Sequence, residues 1–343
     1  MAIMAVMLSH GFPMTHAPTR PLRAIGYILG HLGGLGVALF FAISGYLITT
    51  LLLEDQNLRG FYVRRAFRIL PPAYLYLIVM AIAEPLRGGE LASAAFFYSN
   101  YWADRSWYTA HFWSLSMEEH FYLLWPVLLV CLGVRRALLA AGVLIAITVL
   151  WRPWSLAHTH LPYPALQRTD MRLDAFLFAG ILAILMRGPY RAAFMRVLTA
   201  VWFRVLTTVT LLATGAWALA GSAPATGMLI GSALLPCVLA SLIYGPKSRV
   251  FQGLESAPLR WMGRVSYGLY LWQQLFLLPG AASEFLPGVA LTFAAAAASY
   301  YMLERPLLRY ARAPGRNWNR QVLWNHEFFA ENAERYPRLR QEI

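Results

Sequence analysis

Apolar segments close to the length of a membrane-crossing helix recur along almost the whole chain. A helix rises about 1.5 Å per residue, so about 20 apolar residues cross the hydrocarbon core of a bilayer. Backbone groups in lipid must bond to one another, which restricts such segments to helices or a closed barrel. The segments, separated by proline and glycine, predict an all-α polytopic membrane protein with about ten transmembrane helices: 1–15, 33–53, 69–86, 112–132, 137–152, 171–187, 200–220, 226–244, 264–280 and 284–304.

Composition supports lipid as the solvent and excludes other classes of protein. Hydrophobic residues make up 59% of the chain and charged residues 13%, whereas a soluble domain carries about 25% charged residues. The formal charge is +13, but no basic stretch lies on a soluble fold, so we expect no nucleic-acid partner. Cys131 and Cys237 both lie in apolar segments. We therefore predict neither a disulfide framework nor a metal site.

The distribution of basic residues predicts how the helices are oriented. If the N-terminus is inside, the inner connections and the C-terminal tail contain 22 of the 29 lysine and arginine residues. Because basic residues accumulate in cytoplasmic loops, we predict that both termini are cytoplasmic. We assign residues 1–305 to one transmembrane domain and 306–343 to a short polar cytoplasmic tail. The expected location is a bacterial plasma (inner) membrane, with membrane lipid as a partner.

Two adjacent acids stand inside an apolar helix, in the run WSLSMEEHFYLLWP at 113–126. Ionisable groups at that depth are costly and persist mainly where they line a cavity or relay protons. Glu118 and Glu119 project about 100° apart on a helix, so only one of them can point squarely into a cavity. Glu118 shares its face with Ser114 and Tyr122, a stripe suited to a substrate path. The alternative is a glutamate hydrogen-bonded only for helix packing.

Two further features have the residue types that group transfer needs. His10 lies in the first apolar segment, and imidazole suits a general base because it titrates near neutral pH; an idle boundary histidine is the alternative. Arg65 and Arg68 share a helical face, and guanidinium groups bind phosphates bidentately. The alternative for the arginines is ordinary positive-inside signalling, which suits Arg64 best.

Five runs of residues, in order between about residues 1 and 310, resemble the membrane-bound acyltransferase 3 family. They are GGLGVALFFAISGYLI at 33–48, FYVRRAFRILP at 61–71, the run at 113–126, RLDAFLF at 172–178 and GRVSYGLYLW at 263–272. The resemblance implies transfer of an acyl group, often acetyl, from coenzyme A. The acceptors that it implies are hydroxyl groups of glycans, lipid-linked sugars or macrolides.

The resemblance also assigns roles to individual residues. The functional histidine of the family corresponds to His10, the first glutamate of its motif to Glu118, and its Arg-x-x-Arg pattern to Arg65 and Arg68, with Arg64 beside them as donor-binding residues. The family usually has an arginine eleven residues before the histidine, but only nine residues precede His10. A late start of the sequence explains this, and loss of activity is the other explanation. Where many relatives have a histidine, this chain has Gln273.

Several residues are candidates for binding the acceptor. Arg172 and Asp174 open the sixth segment and either contact a sugar or form an ion pair that fixes the helices. Tyr46, next to Ser44 and Gly45, is expected to line the same cavity, together with Ser114, Tyr122 and Glu119. The glycines Gly33, Gly34 and Gly36 are expected to allow close approach between helices.

These features together predict an integral membrane O-acyltransferase. Acyl-CoA, acetyl-CoA in the simplest case, enters from the cytoplasm as a co-substrate, and no cofactor is bound permanently. A carbohydrate or lipid-linked glycan acceptor arrives from the other side, and His10, supported by Glu118 as in a catalytic triad, removes its hydroxyl proton. Two alternatives stay open: a proton-coupled transporter or flippase for a glycan or lipid-linked sugar, and an inactive relative.

Overall fold

The structure, a computed structural model, describes residues 2–11, 20–84, 86–159, 163–189, 191–219, 224–245, 249–278 and 285–311. Within these ranges the regular elements are all helical, and no strand occurs. The predicted all-α fold is therefore confirmed for the part of the chain that is described. Most of the predicted tail, residues 312–343, lies outside the described residues.

The helices follow the order of the predicted apolar segments. Short 3-10 turns at Ser99–Tyr101 and Tyr163–Gln167 and a π-helical turn at Tyr300–Glu304 connect some of them. The α-helices are α1 (Ala2–Gly11), α2 (Arg20–Glu54), α3 (Leu58–Ala83), α4 (Gly88–Ala95), α5 (Trp107–Ala110), α6 (Phe112–His158), α7 (Thr169–Arg172), α8 (Asp174–Leu185), α9 (Arg191–Thr199), α10 (Val201–Leu219), α11 (Pro224–Tyr244), α12 (Arg249–Leu254), α13 (Ala257–Phe276), α14 (Phe285–Ser299) and α15 (Arg305–Ala311).

By length and composition, five helices of the described residues can cross a membrane: Ile28–Glu54, Leu58–Ala83, Trp107–His158, Ala225–Tyr244 and Phe285–Tyr310. The pair Arg191–Thr199 and Val201–Thr214, bent by 66°, raises the number to six if it forms one span. These helices make the chain a multi-pass membrane protein. The larger number of about ten spans and the cytoplasmic position of both termini stay predictions.

Helix α6 joins two segments that the sequence analysis separated. It contains 47 residues, a length of about 70 Å, which is more than twice the thickness of the hydrocarbon core. Gly133 interrupts it with a φ of 73°, a left-handed conformation that glycine adopts without steric cost. The predicted segments 112–132 and 137–152 therefore lie on either side of this kink.

Glycines of α2 let the short helix α1 pack against it at close range. A Cβ atom at Gly33 would overlap the side chain of Ser9, and one at Gly36 would overlap the carbonyl oxygen of Ala2. The expected role of these two glycines is confirmed, whereas Gly34 has open space beside it and the expectation was wrong there. The close packing matters because α1 carries His10 in its last turn.

A buried ion pair ties α6 to the segments that follow it. Arg152 donates from Nη2 to Asp174 Oδ1 over 2.6 Å, from Nε to the carbonyl of Met171 over 2.7 Å and from Nη1 to the carbonyl of Ala225 over 3.2 Å. Both charged side chains are at most 1% exposed. Asp174 thus forms an ion pair that fixes the helices, and its partner is Arg152 instead of the expected Arg172. Arg172 instead lies over the rings of Trp113 and Phe41.

We expect Asp174→Ala to destabilise the protein strongly, because it leaves the Arg152 guanidinium buried without its counter-charge. Such a loss costs about 3–5 kcal/mol, and replacing both partners with apolar residues costs less. Thermal unfolding in detergent should therefore rank Asp174→Ala below the double variant Arg152→Met plus Asp174→Leu.

The matched control is Asp104→Ala, which breaks the exposed ion pair with Arg87. Exposed pairs contribute at most about 1 kcal/mol, so its melting temperature should stay close to that of the wild type. Equal melting temperatures for Asp174→Ala and Asp104→Ala would contradict the structural role of the buried pair.

Candidate active site

One face of α6 carries three of the predicted site residues. His111, just before the helix, and then Ser114, Glu118 and Tyr122 follow at intervals of three or four residues, which places them in one row. The row contacts α13 through Tyr270 and Gln274 and contacts α3 through Arg65. Two polar groups of residues result, one at each end of the row.

The first group, the histidine cluster, consists of His10, Trp107, His111, Gln273 and Gln274. The rings of His10 and Trp107 meet edge to face with centroids 5.1 Å apart. The Gln273 side chain lies within hydrogen-bonding reach of the His10 ring, and His111 interacts electrostatically with His10. His10 is half-buried, and its Nδ1 atom is buried without a hydrogen-bond partner among the described residues.

Gln274 holds two other members of the histidine cluster in place. Its Oε1 atom accepts a hydrogen bond of 3.1 Å from the backbone N–H of His111 and also contacts Nδ1 of that ring. The backbone carbonyl oxygen of Gln274 accepts a hydrogen bond of 2.9 Å from Nε1 of Trp107. One glutamine of α13 thus positions both rings that surround His10.

The second group, the carboxylate–arginine cluster, consists of Arg65, Arg68, Glu118, Glu119, Tyr122 and Glu304. Tyr122 donates to Glu118 Oε2 over 2.8 Å, and the Arg65 guanidinium lies 4.4 Å from the centre of the Tyr122 ring. Both arginines interact electrostatically with Glu118. Tyr122 also lies 3.1 Å from the hydroxyl of Ser44, in the Ser-Gly-Tyr run of α2.

The arginines of this cluster face three carboxylates on two helical segments, α6 and the π-helical turn. Glu119 interacts with Arg65, and Glu304 of the π-helical turn interacts with Arg68. Three carboxyl groups therefore surround two guanidinium groups inside the membrane domain. Because a buried charge must be paired, a phosphate could bind here only if a carboxyl group became protonated or moved away.

Ser114 and Tyr270 connect the two clusters along the row. The hydroxyl groups of these residues contact each other, and both oxygens lie within hydrogen-bond distance of the backbone carbonyl of His111, at 3.1 Å from Ser114 and 3.3 Å from Tyr270. Glu118 lies seven residues after His111, a distance of about 10 Å along the helix axis. Glu118 interacts with its own cluster and with Tyr267 and Tyr270, and none of these contacts reaches His10.

The remaining predicted residues lie apart from the two clusters. The hydroxyl of Tyr46 is 2.8 Å from that of Tyr244, in a separate apolar core between α2, α8 and α11. Nη2 of Arg64 lies 3.9 Å from Oδ2 of Asp55. Asp174 is fully buried with Arg152, and Arg172 stacks on Trp113 and Phe41. No group of three potential metal ligands occurs among the described residues.

Sequence reasoning did not select several members of the clusters. His111 precedes Ser114 by three residues, so helical spacing alone would have placed it in the same row. Glu304 carried a weaker signal, as an acid that ends an apolar segment. Gln273 replaces a histidine that many relatives have, so the resemblance assigned no role to it or to its neighbour Gln274, and Trp107 had no local signal at all.

Glu90 of α4 organises the segment that carries Trp107. The Glu90 carboxylate is buried and accepts hydrogen bonds from the backbone N–H of Ser106 over 2.9 Å, from the hydroxyl of Ser106 over 2.5 Å and from the hydroxyl of Thr109. Burial alone would raise the pKa of Glu90, but the hydrogen bonds to the carboxylate outweigh it, so the pKa lies below its ordinary value. The ionised carboxylate therefore stabilises the turn that places Trp107 on His10.

The chain matches the profile of the acyltransferase domain of the acyltransferase 3 family over residues 1–303, and it belongs to this family. A peptidoglycan O-acetyltransferase of Listeria monocytogenes is 27% identical over 84% of this chain and 54% of that protein. A Bacillus subtilis protein named as a candidate peptidoglycan O-acetyltransferase is 30% identical over 80% of this chain and 50% of that protein.

A third relative, from Staphylococcus aureus and named as a candidate O-acetyltransferase, is 35% identical over 33% of this chain and 24% of its own length. The chain spans about half the length of the first two relatives. No solved structure is significantly similar to it. The resemblance seen in the five sequence runs is confirmed by the family match.

We expect the stabilisation that Glu90 provides to disappear in acid. The pKa of glutamate in an unfolded chain is about 4.5, and the pKa of Glu90 in the folded protein is lower. The contribution of Glu90 to the free energy of unfolding is therefore complete above pH 4.5. It is lost as the pH falls through the pKa of the folded protein. The melting temperature of wild type minus that of Glu90→Gln should be constant between about pH 5 and pH 7 and should shrink in more acidic buffer.

Ser106→Ala is the companion variant, because it removes one donor and leaves the carboxylate in place. The melting temperature of Ser106→Ala minus that of Glu90→Gln should change less with pH than the corresponding difference for the wild type. A difference that is independent of pH would mean that Glu90 stabilises the turn only by packing.

Proposed function

We propose that this protein is an integral membrane O-acyltransferase that moves an acyl group from acyl-CoA to a hydroxyl group of a glycan or lipid-linked sugar. The observation that carries the proposal is His10. Within the domain of an acyltransferase family, it presents an unpaired ring nitrogen inside a buried polar cluster. Imidazole in such surroundings is suited to take a proton from an attacking hydroxyl group.

The reaction is a direct transfer. His10 accepts the proton of the acceptor hydroxyl as its oxygen attacks the carbonyl carbon of the thioester, forming the new ester C–O bond. The C–S bond breaks, and the CoA thiolate leaves and recovers the proton from the imidazolium. No covalent acyl-enzyme is required, so the chemistry needs a base and an oriented pair of substrates.

Glu118 supports His10 indirectly in this proposal. About two turns of helix separate Glu118 from His111, which interacts with His10. The hydroxyl groups of Ser114 and Tyr270 lie between the two clusters. A negative Glu118 favours the imidazolium that forms at His10, and the row of hydroxyl groups offers a route for the proton.

The donor is proposed to reach the site from the cytoplasmic side, past the carboxylate–arginine cluster. Arg65 and Arg68, with Arg64 nearby, are the candidate residues for the phosphates of coenzyme A. Binding there requires the arginines to exchange carboxylate partners for phosphate, and guanidinium groups form strong bidentate bonds with both. The protein then lies in a bacterial plasma membrane, with both termini in the cytoplasm.

The acceptor is proposed to be a glycan because two relatives carry names that specify peptidoglycan. The histidine cluster supports an uncharged acceptor, since none of its five members is an acid, a lysine or an arginine. Hydroxyl groups of a sugar fit such a site better than a phosphate or carboxylate does.

A proton-coupled transporter or flippase is the second candidate function. The cluster of Glu118, Glu119 and Glu304 against two arginines favours it, because intramembrane carboxyl groups commonly relay protons. In that case the histidine cluster would serve transport, and no acyl group would be transferred. The two functions differ in a product that can be measured directly.

We expect the purified protein in lipid vesicles to transfer radiolabelled acetyl groups from acetyl-CoA to soluble peptidoglycan fragments. His10→Ala should lower the rate about 10²–10⁴-fold, the usual contribution of a general base. The matched control is His120→Ala, since His120 is a partly buried histidine of α6 that contacts Thr169 and lies outside both clusters.

Three outcomes separate the hypotheses. If the wild type is active and His10→Ala transfers acetyl groups at the same rate, His10 is not the base. Absence of transfer together with proton flux that Glu118→Gln abolishes would favour the transporter. Labelled acyl groups that stay on the denatured protein would contradict the direct transfer.

A further inference from the structure

Three side chains of the histidine cluster bring unpaired polar atoms to one place. His10 Nδ1, His111 Nε2 and both amide atoms of Gln273 are buried and have no hydrogen-bond partner within the described part of the chain. His111 is 2% exposed and Gln273 is fully buried. Buried polar atoms in folded proteins are nearly always paired, so a group of four at one site points to a ligand that pairs with them.

The three side chains are neighbours although they come from separate elements. His10 ends α1, His111 lies between α5 and α6, and Gln273 belongs to α13. The Gln273 side chain lies within hydrogen-bonding reach of the His10 ring, although no well-aligned hydrogen bond joins them, and His111 interacts electrostatically with His10. The unpaired atoms therefore belong to His10 and to two residues that interact with it.

Gln274 determines which nitrogen of His111 can accept a hydrogen bond. Its Oε1 atom accepts from the backbone N–H of His111, which identifies this atom as the amide oxygen. The same oxygen contacts Nδ1, so Nδ1 carries the hydrogen and donates. The remaining nitrogen, Nε2, then has a lone pair, and only a donor can satisfy it.

The groups that face His111 limit its partner further. Its ring packs against Tyr76 of α3 and Tyr270 of α13, with centroids 5.2 Å and 5.6 Å apart. The Tyr76 hydroxyl donates to the carbonyl of Tyr108, and that of Tyr270 contacts Ser114. Neither tyrosine hydroxyl is therefore paired with Nε2, so its donor is a bound molecule, either a ligand or water.

We propose that His111 Nε2 and the Gln273 amide form an acceptor subsite that binds a second hydroxyl group, adjacent to the one that reacts at His10. The proposal rests on the proposed acyltransferase function and narrows its acceptor to polyhydroxylated molecules such as saccharides. A hydroxyl group donates to Nε2 and accepts from the Gln273 amide, so it satisfies both partners. A monohydric alcohol lacks this second group.

The test compares two acceptors in the same acetyl transfer assay: a soluble peptidoglycan fragment and ethanol. We expect His111→Phe to lower the ratio of kcat/KM for the fragment to kcat/KM for ethanol about tenfold, the size of one neutral hydrogen bond. Most of the change should lie in KM for the fragment. His111→Gln, which keeps a hydrogen-bonding group, should retain more of the ratio, and Gln273→Leu should lower it.

His120→Phe is the matched control and should leave the ratio unchanged. An equal fall for both acceptors in His111→Phe would mean a general or structural role and would overturn the subsite. An unchanged ratio would overturn it as well, since water could then satisfy these atoms equally well.

Binding of the fragment, measured as a rise in melting temperature, separates this inference from the proposed function. If the wild type transfers no acetyl group but the fragment raises its melting temperature, and His111→Phe and Gln273→Leu lose that rise, the subsite stands and the transferase fails. If the wild type transfers acetyl groups and the rise survives in both variants, the transferase stands and the subsite fails.

Discussion

The polar row on α6 is the constraint on which the arrangement of the membrane domain depends. His111, Ser114, Glu118 and Tyr122 stand on a helix whose other faces are largely apolar, and without water each needs a partner inside the protein. Helices α2, α3 and α13 supply those partners with Ser44, Arg65, Tyr270 and Gln274. Burial of one polar row therefore ties α2, α3 and α13 to α6, and His10 lies beside the residues of α13.

Charge is distributed unevenly along this row, and the division has chemical consequences. The histidine cluster contains imidazole, indole and amide groups and no acid, lysine or arginine, whereas the other end concentrates three carboxyl groups and two guanidinium groups. The first end is compatible with a neutral ligand, whereas a phosphate at the second end has to replace a carboxyl group beside the arginines. The buried pair of Arg152 and Asp174 stands apart from both ends and only holds helices together.

Some parts of the site could be predicted because their signal is local. An acid within an apolar run is conspicuous wherever it occurs, so Glu118 and Glu119 were found, and the Arg-x-x-Arg spacing identified Arg65 and Arg68. The partners of these residues come from distant parts of the chain: Glu304 reaches Arg68, and Arg152 takes the place expected for Arg172 beside Asp174. Tyr46 shows the same limit, because its neighbour Ser44, two residues away, turns toward Tyr122 while Tyr46 turns toward Tyr244.

The sequence by itself determined the solvent, the helical class, the family and the types of group available for chemistry. These follow from hydropathy, from the need to pair backbone groups in lipid and from short motifs, all of which are properties of neighbouring residues. Only the tertiary structure decided that Gln273 and Gln274 meet His10 and His111, and that Glu118 lies with the arginines. Such contacts join residues that are at least 50 positions apart in the chain, and the packing of whole helices, not any local pattern, selects them.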